Sequence, residues 1–311
     1  MKALLAIGLV AIDEGKCVTN NHLMLNFILS LFLFPQADNT NYLKIVTTLR
    51  QIAQEHPQTT QLISIGVSDA GQVIYGLQIG RGSRADLIVG THHGNEYGST
   101  AVAMGLANSI AENPIDGHTV YLIPVLNIQG YNSFVRTETV GQTTVDPNRD
   151  YPGPCVSTAT FKSRSTRALA EFVAQKKIVA SATLHTYWPA ALIPWGLSTK
   201  DLRTRDEDTF LRLGKLAVQE SGYAVGNSTE LLYAADGTFE DYAYWKHGIW
   251  SLLFELGESH SPDPTAVEHM VNVNVPGIRR FLENAPAAVS QTHSFDGRCD
   301  KTRVPQRRWP E

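Results

Sequence analysis

The chain has 311 residues, and its 26 lysines and arginines against 30 aspartates and glutamates give a formal net charge of −4. A nucleic-acid-binding domain would need an excess of basic residues, and a disordered chain would contain fewer hydrophobic residues than the 43% found here. Three cysteines in this length exclude a disulfide scaffold. The composition therefore predicts a globular protein with one large core and no nucleic-acid partner.

Two apolar runs, over residues 3–12 and 23–34, distinguish the N-terminal segment from the rest of the chain. Both are shorter than a membrane span, and each has the length of the apolar region of a signal peptide. Residues 1–37 are therefore interpreted as a signal peptide or leader, which predicts a secreted or periplasmic protein with no membrane span in the mature chain. The alternatives are a misplaced start codon, with Met24 opening a shorter signal, and a buried helix.

Helical and strand patterns alternate over residues 38–289, which form the predicted catalytic domain, and a polar tail follows over residues 290–311. In chain order the patterns predict a helix at 42–55, extended stretches at 62–67 and 72–79, a strand at 85–90, a helix at 97–112, a strand at 118–127, a long loop at 128–163, a helix at 165–176, a strand at 178–186, helices at 202–221 and 237–247, a strand at 249–256 and a helix at 264–283. This order predicts a single α/β domain with a mixed, mostly parallel twisted sheet and helices on both faces.

Histidine and glutamate side chains stand where three of the apolar strands end. His93 and Glu96 follow the strand at 85–90, and His185 closes the strand at 178–186. Open α/β sheets place their sites at these strand ends. Two imidazoles and one carboxylate, with a fourth position left to water, are the ligands of a catalytic zinc, so we predict one Zn²⁺ per chain at these three residues. Taken singly, each histidine would more simply satisfy nearby backbone groups.

Glu255 lies near the end of a third apolar strand. A carboxylate in that position is costly to bury unless it is paired or functional, so Glu255 joins the candidate site.

Three motifs occur in a fixed order along the chain: His93-x-x-Glu96, the run Asp-Pro-Asn-Arg-Asp-Tyr at residues 146–151, and His-Thr-Tyr at residues 185–187. They resemble the first zinc motif, the Asn-Arg substrate-carboxylate motif and the third-ligand motif of the zinc metallocarboxypeptidases of the pancreatic carboxypeptidase A and B type. Tyr233 precedes Glu255 by the same interval that separates the family's mobile tyrosine from its catalytic glutamate. The resemblance extends from about residue 42 to residue 286.

The resemblance implies a zinc-dependent metallocarboxypeptidase that hydrolyses the C-terminal peptide bond of peptides or proteins. Glu255 would act first as general base and then as general acid. Arg136 would correspond to the arginine that polarises the scissile carbonyl, although the loop that carries it is shorter than in the pancreatic enzymes. A solvated loop arginine is the alternative for Arg136.

Substrate binding is also implied by the resemblance. Asn148 and the forked guanidinium of Arg149 would bind the terminal carboxylate, Tyr233 would close over the substrate, and Tyr187 would contact it. The alternative is that Asn148 and Arg149 only stabilise their loop together with Asp150.

The resemblance, carried over by spacing, implies a mostly apolar or small set of residues around the last side chain of the substrate, namely Thr183, Leu192, Gly196, Ser228, Leu232 and Leu253. Glu240 stands where the B-type enzymes carry an acid. A buried carboxylate there would favour a C-terminal Lys, Arg or diaminopimelate residue. The alternative places Glu240 on the exterior of its helix, paired with Lys246 or water, because a sequence determines the phase of a helix only to within about one or two residues.

Two features depart from the family pattern. Asn95 stands where the first motif commonly has arginine. Cys155 resembles one half of a family disulfide whose usual partner position has no cysteine, so Cys155 either pairs with Cys299 after export or both remain free thiols.

Two other functions fit the same motifs. One is a peptidoglycan stem-peptide hydrolase or a side-chain deglutamylase on the same zinc frame, because Asn148 and Arg149 would also accept a diaminopimelate or glutamate carboxylate. The other is a catalytically silent peptide-binding module. The presence of Glu255 argues against the silent module, which would be expected to lose its proton carrier or a ligand first.

Overall fold

The computed structural model describes residues 41–156, 160–197 and 202–299. The signal-peptide prediction for residues 1–37 lies outside these ranges, as does the predicted tail from residue 300 onward. Within the described ranges, every helix is too short or too polar to cross a membrane.

Helices and strands are interspersed along the chain. The helices are α1 (Asn41–Glu55), α2 (Tyr97–Glu112), α3 (Ile128–Ser133), α4 (Arg164–Lys176), α5 (Glu207–Ala217), α6 (Ser228–Leu231), α7 (Phe239–His247) and α8 (Pro264–Asn284). The strands are β1 (Thr60–Val67), β2 (Val73–Ile79), β3 (Arg84–Gly90), β4 (His118–Ile123), β5 (Glu138–Val140), β6 (Thr143–Val145), β7 (Ala180–His185), β8 (Ala190–Ile193), β9 (Ala224–Asn227) and β10 (Trp250–Glu255). A short 3₁₀ helix covers Pro147–Arg149.

Eight of these strands form one sheet in the order β1-β2-β4-β3-β7-β10-β8-β9. Strand β3 pairs in parallel with β4 and β7, and β7 pairs in parallel with β10. Strands β1, β2 and β8 pair with their inner neighbours in antiparallel fashion, whereas the outermost pair, β8 and β9, is parallel. The centre of the sheet is therefore parallel, and its carboxyl ends meet at one edge.

Helices cover both faces of the sheet because the central strands are apolar on both sides. In β3, Leu87 and Val89 belong to the core cluster that includes residues of α4 and α7, whereas Ile88 belongs to the cluster that includes residues of α2, α5 and α8. This division follows from the two-residue period of a strand. The predicted α/β class, with a mostly parallel sheet and helices on both faces, is confirmed.

Several short elements depart from the predicted pattern. The predicted loop at 128–163 contains α3 and the β5–β6 hairpin, and the predicted helix at 202–221 is limited to α5. The strand predicted at 118–127 ends at Ile123, because Pro124 has no N–H to donate to the ladder. Asn127 then caps α3, its side chain accepting from the N–H of Gly130 at 2.7 Å.

The first part of the C-terminal tail packs against the domain. Ser290 and Thr292 donate their hydroxyls to the carboxylate of Asp206, which lies immediately before α5. Cys299 forms a disulfide with Cys155 across a sequence separation of 144 residues. Of the two possibilities left open for these cysteines, the structure has the paired one.

Glu138 on β5 is a buried carboxyl that accepts hydrogen bonds from the hydroxyls of Ser163 and Ser165 at the start of α4. Burial raises the pKa of Glu138 to about 7, although the two serine hydroxyls act in the opposite direction. The folded protein therefore holds a proton on this group more tightly than the unfolded chain does.

This proton makes the free energy of unfolding depend on pH. The folded pKa of Glu138 is raised above 4.5, so the protonated carboxyl contributes to the free energy of unfolding. This contribution is complete below about pH 4.5 and is lost as the pH rises through about 7. We expect wild type to lose on the order of 3 kcal/mol over this interval relative to the Glu138→Gln variant, whose amide does not titrate. Urea denaturation at several pH values measures the difference. Parallel pH profiles for the two proteins would contradict the prediction.

Candidate active site

The three predicted metal ligands meet at the carboxyl edge of the sheet. His93 and Glu96 lie in the turn between β3 and α2, and His185 is the last residue of β7. Strands β3 and β7 are parallel neighbours, so their ends bring the three side chains together. All three are buried. Their donor atoms lie within 4.8 Å of one another, and no other such cluster of three or more ligating side chains occurs in the described ranges.

The donor atoms point at a common centre. Nδ1 of His93 is 2.6 Å from one carboxylate oxygen of Glu96, and Nδ1 of His185 is 3.0 Å from the other. The two Nδ1 atoms are 3.2 Å apart. Two ring nitrogens that both present lone pairs cannot bond to each other, whereas a cation between them satisfies both nitrogens and the carboxylate. This donor set fits the zinc ligation expected from the sequence.

Glu96 carries the negative charge that such a cation requires. Burial alone would raise the pKa of its carboxyl, but the adjacent imidazoles of His93 and His185 hold that pKa well below its ordinary value. The site therefore presents an ionised carboxylate at neutral pH.

A second carboxylate, that of Asp146, contacts the ring nitrogen of His93 that faces away from Glu96. Nε2 of His93 is 3.0 Å from Asp146, and the other oxygen of Asp146 accepts from Nε of Arg136 at 3.0 Å. A guanidinium nitrogen of Arg136 also lies 3.7 Å from Glu96. Arg136 therefore lies beside the ligand cluster, paired with Asp146, with its side chain 37% exposed. An outer carboxylate of this kind fixes the orientation and raises the basicity of a ligating imidazole.

Glu255 ends β10, and its position follows from strand register. In the parallel pairing of β7 with β10, Glu255 is the partner of His185. Its Oε2 is buried and has no hydrogen-bond partner in the described part of the chain. Burial, followed by the negative charge of Glu96, raises the pKa of Glu255 well above its ordinary value. A carboxyl group in this environment is suited to accepting and releasing a proton.

The Asn-Arg motif faces the same cavity from the 3₁₀ turn. The side-chain oxygen of Asn148 accepts from the N–H of Phe239 at 2.9 Å, which fixes the turn against α7. Arg149 donates to the Tyr233 hydroxyl at 3.3 Å, with its guanidinium carbon 5.8 Å from the centre of the tyrosine ring. Asp150 accepts instead from the N–H groups of residues 162 and 163. Arg149 also donates to the main-chain carbonyl of Asn148 at 2.5 Å, and it forms no ion pair with a carboxylate among the described residues.

One cavity connects these groups. It is lined by His93, Asn148, Arg149, His185, Leu192, Ser228, Leu232, Tyr233, Ala235, Thr238, Glu240, Leu253 and Glu255. Glu240, in the first turn of α7, is only 4% exposed, so it does not lie on the exterior of its helix. Burial raises the pKa of Glu240, and its Oε2 has no partner within the described ranges.

Four residues expected near the substrate lie outside this lining, namely Arg136, Thr183, Tyr187 and Gly196. Thr183 is buried within β7, and Gly196 lies beneath Ser228, whose hydroxyl oxygen is 2.2 Å from the position that a Cβ on Gly196 would occupy. Tyr187 is 39% exposed, with its ring packed edge-on against His260 at 4.8 Å.

Sequence reasoning missed some residues at this site. The sequence marks Asp146 only as the start of the Asn-Arg motif, and nothing in that motif predicts its contact with His93. Thr238 and Ala235 line the cavity without any sequence pattern that marks them. Thr238 lies directly before α7, where a threonine is ordinarily explained as a helix cap.

The family model of zinc carboxypeptidases matches residues 45–276 of this chain. The chain belongs to the zinc carboxypeptidase family. Its similarity to individual family members is moderate: it is 26% identical to human carboxypeptidase B over 255 residues, which cover 68% of this chain and 61% of that protein. A zinc carboxypeptidase from Saccharothrix mutabilis is 24% identical over 300 residues, covering 78% of this chain and 68% of that one. The chain thus spans less than two thirds of the length of human carboxypeptidase B.

Solved structures share the zinc carboxypeptidase fold. Bovine thrombin-activatable fibrinolysis inhibitor, solved in complex with tick carboxypeptidase inhibitor, superposes with a TM-score of 0.71 at 19% identity, covering 78% of this chain and 95% of that one. Murein-tripeptide amidase MpaA from Escherichia coli superposes with a TM-score of 0.51 at 16% identity, covering 76% and 97% respectively. The family match confirms the resemblance seen in the motifs. It also confirms zinc as the metal expected at His93, Glu96 and His185.

Proposed function

We propose that this chain is a zinc-dependent metallocarboxypeptidase that hydrolyses the C-terminal peptide bond of peptides. The observation that carries the proposal is the single cavity lined by His93, His185, Glu255 and Arg149. An exopeptidase needs its metal, its proton carrier and an anchor for the terminal carboxylate within reach of one substrate residue, and these side chains supply all three.

The chemistry is divided among few groups. Zinc, when bound, supplies Lewis acidity that lowers the pKa of water and polarises a carbonyl. Glu255 accepts a proton from the attacking water and later delivers it to the leaving amine. Arg136 contributes a fixed positive charge near the metal ligands, where negative charge develops on the carbonyl oxygen.

The terminal carboxylate binds to the guanidinium of Arg149 and to the side-chain amide of Asn148. Arginine suits this task because its planar donors match the two carboxylate oxygens. Tyr233 already contacts Arg149, so a modest side-chain movement brings its hydroxyl over a bound substrate.

We further propose a preference for substrates that end in Lys or Arg. Glu240 is a buried acid whose Oε2 has no hydrogen-bond partner among the described residues, and the lining of its cavity also includes Leu192, Leu232 and Leu253. A cationic substrate side chain would compensate the cost of ionising this carboxyl in an apolar setting.

Replacing Glu240 should shift this preference. We expect the Glu240→Leu variant to lose about 100-fold in kcat/KM for peptides ending in Lys and to keep or gain activity on peptides ending in Leu, since a charge-assisted hydrogen bond contributes about 2–3 kcal/mol. Paired assays on Lys- and Leu-ending peptides measure the shift. Glu268→Leu, at an exposed position of α8, is the matched control. An unchanged Lys-to-Leu ratio would refute the assignment of Glu240.

The activity itself is tested by release of single amino acids from peptides ending in Arg, Lys, Leu, Phe or Glu. Release that requires zinc and stops on chelation supports the proposal, and the amino acid released first gives the preference. The panel includes peptidoglycan stem peptides, because the side-chain amine of diaminopimelate would also pair with Glu240. Cleavage of the stem peptides alone would replace the carboxypeptidase proposal with the stem-peptide hydrolase.

We also propose that the protein acts outside the cytoplasm. The disulfide between Cys155 and Cys299 supports this location, because disulfides persist in oxidising compartments and are rare in the cytosol. Export of the full-length chain, assayed by cell fractionation, tests the proposed leader.

A further inference from the structure

His92 is a buried histidine to which the proposed reaction gives no role. It directly precedes the ligand His93 and is 0% exposed. Its ring stacks on that of His185, with centroids 5.4 Å and planes 20° apart. Nε2 of His92 is 3.1 Å from the hydroxyl of Tyr151, and Nδ1 has no partner in the described ranges. Among the described residues, the side chain of His92 therefore makes one hydrogen bond, to Tyr151.

Tyr151 belongs to the segment that carries the carboxylate anchor, two positions after Arg149. Its ring stacks on Tyr242 at 5.5 Å and meets Phe239 edge-on at 5.3 Å. Its backbone N–H donates to the carbonyl of Gly237 at 3.1 Å. Both backbone and ring are thus fixed, so the hydroxyl is a well-defined point to which His92 is bonded.

Packing alone does not explain a buried histidine and tyrosine at these two positions. Two apolar side chains of similar size would pack the same volume without the cost of burying an imidazole and a phenol. The bond between His92 and Tyr151 is directional, and it joins the turn that carries His93 to the segment that carries Arg149. Neither His92 nor Tyr151 lines the cavity, so neither contacts the space that a substrate would occupy.

We infer that His92 and Tyr151 are positioning residues that hold the carboxylate anchor Arg149 in register with the metal ligand His93. The inference rests on the proposed function, since it concerns the same site. Asp146 bonds to His93 on the N-terminal side of Arg149, so without the His92–Tyr151 bond the segment keeps that attachment to the ligand turn and loses the one that follows Arg149. A terminal carboxylate is then bound less favourably. His93 keeps its contacts with Asp146 and Glu96 when either His92 or Tyr151 is replaced, and Tyr151→Phe also leaves the stacking of His92 on His185 in place.

The test uses two variants that break the bond and one that restores it. Tyr151→Phe removes only the hydroxyl, and His92→Leu removes the ring nitrogen. His92→Gln places an amide nitrogen near the position of Nε2. The matched control is Tyr242→Phe, which removes a hydroxyl of the same aromatic cluster whose partner is His247 at 3.2 Å.

Four quantities are measured for each protein: kcat and KM of the zinc-loaded enzyme on peptides ending in Lys, the Kd of N-acetyl-lysine for the zinc-free protein, and the Kd of zinc. We expect Tyr151→Phe and His92→Leu to raise KM and the Kd of N-acetyl-lysine by roughly tenfold, with kcat and zinc affinity nearly unchanged. His92→Gln should recover most of the loss, and Tyr242→Phe should match wild type.

Equal binding of N-acetyl-lysine by wild type, Tyr151→Phe and His92→Leu would overturn the inference, whatever the activity. A loss confined to zinc affinity would also overturn it, because the bond would then serve the metal ligands. Wild type that binds N-acetyl-lysine but cleaves no peptide would refute the proposed activity and leave the positioning role to be decided by the binding measurements.

Discussion

Replacing Glu255 with glutamine should lower kcat/KM of the zinc-loaded protein by about 10³-fold, within the range typical of a lost general acid–base. Glutamine has nearly the shape of glutamate but cannot accept the proton of the attacking water. The substitution should leave the fold intact, because Oε2 of Glu255 has no hydrogen-bond partner to lose among the described residues. Steady-state kinetics on peptides ending in Lys measure the effect, and stoichiometric zinc shows that the site is loaded.

A second glutamine variant in the same cavity provides the control for this experiment. Glu240→Gln also removes a buried carboxyl from the cavity, but it should retain turnover of peptides that end in Leu. Loss of turnover on those peptides is therefore expected for Glu255→Gln alone. Substantial activity in the Glu255→Gln variant would show that another group carries the proton.

Loss of the disulfide should lower the free energy of unfolding by about 5 kcal/mol. Loop-closure entropy gives this value for two cysteines separated by 144 residues, because the cross-link restricts a large part of the unfolded chain. The Cys155→Ser/Cys299→Ser double variant should therefore unfold at a lower urea concentration than oxidised wild type. Urea denaturation followed by circular dichroism measures the midpoint and slope.

Reduced wild type is the control for the disulfide prediction. In the presence of reductant it should approach the stability of the double serine variant, and the variant itself should not respond to reductant. A variant as stable as oxidised wild type would show that the packing of residues 290–299, including the contacts of Ser290 and Thr292 with Asp206, holds the tail without the cross-link.

The position of the candidate site could be predicted from the sequence because its main residues are local features of strong elements. His185 and Glu255 end apolar strands, and His93 and Glu96 lie in one strand-to-helix turn. A strand that is apolar throughout must be buried, and its carboxyl end in an α/β sheet is the expected location of a site.

The remaining features depend on tertiary contacts that no local pattern encodes. The orientation of Glu240 depends on where α7 begins, and one residue of phase moves a side chain by about 100° around a helix. The pairing of Cys155 with Cys299 depends on the path of the tail, which is set by contacts with Asp206. Helix α3 and the β5–β6 hairpin are too short to give a clear periodicity, so a loop was predicted over them.

The register between β7 and β10 also bears on how the protein can be altered. Because main-chain hydrogen bonds pair Glu255 with His185, the relative position of these two residues does not depend on the loops that close the cavity. A slip of one residue would turn Glu255 to the opposite face of the sheet, so the register is strongly fixed. Loop residues such as Leu232 and Ala235 are therefore suitable targets for directed evolution of substrate range, with the reacting groups held on a rigid frame.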